Sequence, residues 1–333
     1  MHLSLMVLAF AVAEPPQPRL VAKPDAFPTL VNPNCSHCID ESKRRASELV
    51  PGDRVLCWTR GKYQGGAIPF RFFLNPYRVI SDTYGTFVFD PDAGYARAFP
   101  ASLDYRFHGW RNGVMVMKHK DGTLFSCLSG VAFDGPRKGE RLESWPTIVT
   151  DWGWWLAQYK DTVAYHMYEK YKPIELKAGP NQDSVKSRGQ TDPRLDPETM
   201  ILGIWDGQSA TAVRLDNLGD RPQQILAADA VVLWQPATRT ATAYRPLAEK
   251  RKTTAKLGVQ GELIEKRAVT IEVDPSPAGE TWVDKTTGSR FDVTGRCIQG
   301  ELKDWTLAPL DAVMVKWFAW SAEYPATTVH GVK

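Results

Sequence analysis

A chain of 333 residues with 43% hydrophobic and 24% charged residues has room for about two ordinary globular domains and excludes a disordered chain. Its net charge of +3 is too weak and too scattered for a dedicated nucleic-acid binder. The densest basic run, Glu249-Lys250-Arg251-Lys252 with Lys256, reads as a solvated loop rather than a phosphate or membrane patch.

The N-terminus reads LSLMVLAFAVA over Leu3 to Ala13, the length of a signal-peptide apolar region and too short to span a bilayer. Ala11-Val12-Ala13 fits the small-x-small cleavage rule, so a mature chain beginning near Glu14 and export to the periplasm or the extracellular space are expected. The competing reading is an N-terminal core strand. No Lys or Arg precedes the apolar run, which leaves an upstream start codon open. No later segment reaches about 18 apolar residues, so no transmembrane segment is expected in the mature chain.

Gln17 to Pro33 carries Pro18, Pro24, Pro28 and Pro33, a density that predicts an extended linker. Next comes Cys35-Ser36-His37-Cys38. Two cysteines at this spacing can share one metal ion or one short disulfide. It is not a haem attachment site, because Ile39 and not a histidine follows Cys38. A transition-metal site would need further ligands, and Cys57, Cys127, His108, His119 and His166 are the available donors. Disulfide, metal site and reactive dithiol all stay open, with the disulfide favoured in an oxidising compartment. The metal set read from the sequence is Cys35, His37, Cys38, Cys127 and His119, with Cys57 and His108 as further candidates. Asp40-Glu41-Ser42 before Lys43 to Leu49 predicts a short helix, whose N-terminus would favour the Cys38 thiolate.

The rest of the chain repeats itself. Phe89-Asp90-Pro91 and Ala96-Arg97-Ala98-Phe99 answer Trp234-Gln235-Pro236 and Ala241-Thr242-Ala243-Tyr244 at a constant offset of 145 residues (89 to 234, 99 to 244). Gly130, Gly135, Leu142, Trp152, Trp155, Tyr159 and Thr162 answer Gly295, Gly300, Leu307, Trp317, Trp320, Tyr324 and Thr327 at an offset of 165 (130 to 295, 162 to 327). The change of offset predicts an insertion around Glu249 to Lys266. Asp90-Pro91-Asp92-Ala93-Gly94 predicts a turn and Asp121-Gly122 a hairpin. Trp152, Trp155 and Tyr159, at i, i+3 and i+7, predict one face of a short helix with Asp151 as its N-cap. That face reads as core, the competing reading being a sugar-stacking platform. The expected fold class is mainly β (α+β), two tandem repeats, each of short antiparallel strands plus one amphipathic helix. The boundaries are a signal peptide over 1–13, the linker and cysteine segment over 14–52, repeat 1 over 53–168, a connector over 169–198 and repeat 2 over 199–331.

Residues kept in both repeats serve folding, and polar residues found in one are free to serve a site. Asp90 and Asp92 answer Gln235 and Ala237, His119 answers Lys285 and Cys127 answers Val293. Any site is therefore expected on repeat 1. Each residue also has a plainer reading: turn chemistry for Asp90 and Asp92, strand or surface polarity for His108 and His119, and buried apolar packing or a mutual disulfide for Cys57 and Cys127. G-x-S-x-G, P-loop and H-E-x-x-H motifs do not occur.

Several segments together resemble the domain-of-unknown-function family 3179. They are Asn75-Pro76-Tyr77-Arg78, Leu128-Ser129-Gly130-Val131-Ala132, Trp152-Gly153-Trp154-Trp155, Asp192-Pro193-Arg194-Leu195 and Ile201-Leu202-Gly203-Ile204. The resemblance spans about residues 53–331 and implies a bacterial or archaeal source, with no activity attached. The family's Tyr-Cys-Pro-x-Cys motif is missing before Thr86-Phe87-Val88-Phe89-Asp90, so any site built on it is absent or relocated. The expected function is an exported binding or redox-accessory protein of the cell envelope with a thiol or metal site. The alternatives are a hydrolase using Asp90 or Asp92 and a purely structural interaction module.

Overall fold

The computed structural model describes residues 19–33, 38–40, 49–60, 64–70, 77–165, 180–227, 229–256, 259–276 and 280–331. The chain is mainly β. Each half stacks three sheets. In the first half, a sheet ordered Ile148–Asp151, Arg54–Arg60, Gln64–Pro69, Val163–Tyr165, Cys38–Asp40 covers a middle sheet ordered Leu30–Val31, Val79–Ser81, Thr86–Asp90, Tyr95–Phe99. Beyond it lies an outer sheet ordered Leu20–Ala22, Arg106–Arg111, Val114–Lys118, Leu124–Ser126, Ala132–Asp134. The middle strands TFVFD and YARAF are buried at every position, as strands covered on both faces must be. Phe87 and Phe89 face one core and Val88 the other, following the two-residue period of a strand.

The second half stacks its sheets in the same sequence. Asp311–Lys316, Met200–Trp205, Ala210–Arg214 and Thr328–His330 form the first sheet. Gln223–Ala227, Ala230–Gln235, Thr240–Lys256 and Val259–Ala268, with Thr306–Pro309 paired to Thr240–Lys256, form the second, and Ile271–Val273, Trp282–Asp284, Arg290–Phe291 and Cys297–Gln299 the third. The registers correspond pair by pair. Cys57 opposes Ala67 where Gly203 opposes Ala212. Val163 runs parallel to Gly66 where Thr328 runs parallel to Thr211. Phe89 opposes Ala96 where Trp234 opposes Ala241. The insertion expected around Glu249 to Lys266 is the far part of the long hairpin of Thr240–Lys256 and Val259–Ala268.

Helix α1 (Trp152–Gln158) and helix α3 (Trp317–Glu323) follow the edge strands Ile148–Asp151 and Asp311–Lys316 directly. Trp152, Trp155 and Tyr159 are buried, as are Trp317, Trp320 and Tyr324, so the tryptophan faces are core and not stacking platforms. Trp155 and Tyr159 stack at 4.2 Å between ring centroids, the same spacing as Trp320 and Tyr324. The turn and hairpin glycines Gly94 and Gly122 take φ of +74° and +95°, conformations that cost a side chain dearly.

Two expectations are corrected, and the connector holds a short helix. The proline-rich segment is not a free linker, since Leu20–Ala22 pairs with Arg106–Arg111 and Leu30–Val31 with Val79–Ser81. Its prolines flank short edge strands, where a missing N–H is tolerated. Asp151 occupies the N-cap position without capping; its carboxylate instead takes the Arg54 guanidinium at 2.8 Å. The connector contains helix α2 (Gln182–Ser187), whose N-cap Asn181 accepts hydrogen bonds from the Asp183 and Ser184 amides.

Candidate functional site

Cys35 and His37 lie outside the described residues, as do the apolar N-terminal run and His166. Cys38 opens the strand Cys38–Asp40, which pairs antiparallel with Val163–Tyr165, Cys38 opposite Tyr165. Asp40 ends that strand, and the expected short helix falls on 41–48, outside the described residues. This strand is a fifth member of the first sheet. Among the described residues the corresponding sheet of the second half stops at Thr328–His330. Cys38, the second cysteine of the motif, is thus tied to the first half by a strand pairing that has no counterpart in the other half among the described residues.

Cys57, Cys127 and Cys297 are buried and free, so Cys57 and Cys127 do not form a mutual disulfide. Cys57 packs among Val55, Ala67, Trp152, Trp155 and Ala164, whereas Cys127 belongs to a separate core with Phe125, Leu128 and Trp317. Burial pushes both thiols well above the ordinary cysteine range, which leaves them protonated and poor as nucleophiles or metal ligands. Burial also raises Cys297, to about 11. Two strands separate Cys57 from Cys38 in the same sheet, roughly 14 Å at the usual strand spacing. One ion spans much less than that.

The histidines serve the outer sheet. His119 Nδ1 lies 3.0 Å from the Asp121 carboxylate and its ring leans on Tyr105 at 5.1 Å. Asp121 accepts from the Thr123 backbone N–H, which with the Thr123 hydroxyl and His119 holds its acid at about 2. This is hairpin chemistry around Asp121-Gly122. His108 sits half-buried in the strand Arg106–Arg111, its pKa lowered by burial and then by Lys118. Among the described residues no group of three His, Cys, Asp or Glu side chains could hold a metal ion.

Asp90 is fully buried, and its carboxylate is committed. Oδ1 accepts from the Asp92 and Ala93 amides at 3.0 and 3.2 Å, and Oδ2 accepts from the Met115 amide at 3.2 Å. It fastens the turn after Thr86–Asp90 to the strand Val114–Lys118. Burial first, and the neighbouring Asp92 second, push its acid up to about 7 despite the three amides. Asp92 accepts from the Asn181 amide at 3.1 Å and so anchors the start of α2.

The sequence reading missed a charged cluster between the halves. Arg97 pairs with Asp311, and Arg141 lies 3.5 Å from the same carboxylate. Arg141 also donates to the Tyr324 hydroxyl at 2.7 Å and lies 4.7 Å over the Trp205 ring, while the Ser129 hydroxyl donates to Glu323. At the offsets of 145 and 165 residues, Thr242, Thr306, Pro146 and Gln158 stand where Arg97, Arg141, Asp311 and Glu323 do. The signal was present in Ala96-Arg97-Ala98 set against Ala241-Thr242-Ala243.

A family model described as "Protein of unknown function (DUF3179)" matches residues 109–327. No curated protein and no solved structure matches the chain.

Proposed function

The chain belongs to the DUF3179 family, proteins of unknown function, and from that premise we propose that it is an exported binding or redox-accessory protein of the cell envelope whose working group is Cys35, His37 and Cys38. One observation carries this reading. The strand that begins at Cys38 is added to a sheet whose counterpart in the other half lacks it among the described residues. Leu20–Ala22 and Leu30–Val31 are also added to sheets of the first half, but Cys38–Asp40 is the added strand that begins on a cysteine. The remaining reactive residue types point the same way, because Cys57, Cys127 and Cys297 are buried thiols. A hydrolase built on Asp90 or Asp92 is disfavoured, since both carboxylates already accept backbone amides.

In the redox form of this reading, the two thiols join as a disulfide and release two protons and two electrons. A disulfide of a partner protein accepts them and becomes a dithiol. In the metal form, both thiolates bind one transition-metal ion and His37 supplies a nitrogen.

Metal content and thiol counts separate the forms. The redox form leaves three free thiols in denatured, unreduced protein, those of Cys57, Cys127 and Cys297, and five after reduction. The metal form gives bound metal that Cys35→Ser removes. Five free thiols without metal, and no disulfide after mild oxidation, would remove the thiol reading and leave the structural module.

A further inference from the structure

We infer that the two halves are copies of one unit related by an approximate two-fold axis, and that the contact between them is a dimer interface carried inside a single chain. The surface each half presents is built for the other half. In a contact of this symmetry the same two patches meet twice, with their roles exchanged. Two polar contacts and the apolar packing meet that condition.

The first contact joins the strand–helix junction of the first half to a turn of the second. Arg54 donates to the carbonyl oxygens of Thr238 and Arg239 while holding Asp151, and Thr240 donates its hydroxyl to that of Thr150 at 2.9 Å. The exchanged contact joins the junction of the second half to the matching turn of the first. Lys316, which stands where Asp151 does, donates its amide to the carbonyl of Ala93 at 2.9 Å. A side chain on Gly94 would meet Met200, which stands where Arg54 does. Ala93 and Gly94 precede Thr238 and Arg239 by the same 145 residues.

The second contact is made by the helix ends. The Tyr159 hydroxyl lies 3.0 Å from that of Thr294, and Arg296 donates to Gln158 at 3.2 Å. Exchanged, Tyr324 accepts from Arg141, and Glu323 accepts from Ser129. Ser129 stands where Thr294 does, and Glu323 where Gln158 does. The apolar packing obeys the same exchange. The α3 residues Trp317, Phe318 and Trp320 share a core with Tyr95, Phe107 and Phe125 of the first half. Trp154 of α1 packs against the core of Tyr244, Trp282 and Phe291 in the second. Two independent domains on a string would show neither the reciprocity nor the shared cores.

Cleavage of the full chain tests this. A protease site is placed within 170–176, the native protein is cut, and the products are run on size exclusion at about 1 μM, a concentration at which only an interface of stable-dimer quality holds. Both fragments are expected in one particle of the uncut size. Arg54→Ala together with Arg141→Ala, one from each contact, is expected to weaken retention at least 10-fold. Separation of the wild-type fragments, whether folded or unfolded, would overturn the inference. So would retention unchanged by the double variant and also by Phe318→Ala, which removes a ring packed on Gly113 of the first half.

Discussion

Asp90 is a fully buried carboxylate held by backbone amides. Its acid sits near 7 because the carboxylate is buried, so between about pH 4 and pH 7 the folded protein keeps a proton that the unfolded chain has lost. Stability from this group is therefore present at low pH and falls as pH rises through that window, by at most a few kcal/mol. Asp90→Asn is expected to flatten the difference in unfolding free energy between pH 5 and pH 7.5, measured by denaturant titration. An unchanged slope would mean that the three amides hold the carboxylate charged throughout. A second pair of residues shows how the halves differ. Trp320 donates its indole N–H to the Thr327 hydroxyl at 3.0 Å, whereas the buried Trp155 indole and Thr162 hydroxyl have no hydrogen-bond partner among the described groups. Thr327→Val should cost about 1–3 kcal/mol by stranding the Trp320 N–H. Thr162→Val should be close to neutral. Equal losses at both positions in thermal unfolding would contradict this account.

At the level of elements, the tryptophan helices were the most legible feature of the sequence, because Trp152, Trp155 and Tyr159 carry the helical period openly. The hairpin at Asp121-Gly122 and the turn ending at Gly94 were legible for the same reason: local chemistry decides them. Strand pairing across distance was not. Leu20–Ala22 and Leu30–Val31 lie among prolines, and only tertiary partners far along the chain make them strands. The charged cluster around Asp311 was hidden likewise, since Arg97 and Asp311 are brought together across the contact between halves. Packing also explains a substitution between the halves. Trp320 lies on Gly203, where an added Cβ would come within 2.3 Å of the ring. Cys57 fills the corresponding place in the first half, and there the glycine has moved to the neighbouring strand: Gly65 adjoins Trp155 and Thr162. Gly203→Ala should therefore cost at least about 1–3 kcal/mol from overpacking. Trp317→Ala should cost about 3–5 kcal/mol, the range for a buried large aromatic. Calorimetry or chemical denaturation reads both, and a loss below about 1 kcal/mol at Trp317 would deny it a core role.

Across the whole molecule, the sheets of the two halves correspond in order and register, and each half carries additions: Leu20–Ala22, Leu30–Val31 and Cys38–Asp40 in the first, and the Val259–Ala268 hairpin in the second. The common part accounts for the buried cysteines, the committed aspartates and the tryptophan cores. Of these additions, only Cys38–Asp40 brings a cysteine of the C-x-x-C motif to the edge of a sheet. Within the described residues no helix is long and apolar enough to cross a membrane. The reading of that segment as the working site rests on Cys35 and Cys38 differing from the three cysteines of the core. Alkylation of the native protein, mapped by mass spectrometry before and after reduction with chelation, tests this directly. Cys35 and Cys38 should be protected at first and labelled after treatment, while Cys57, Cys127 and Cys297 stay unlabelled until the protein is unfolded. If Cys35 and Cys38 label fully from the outset and form no disulfide after mild oxidation, or resist labelling under every native condition as the core cysteines do, the segment is not a thiol or metal site.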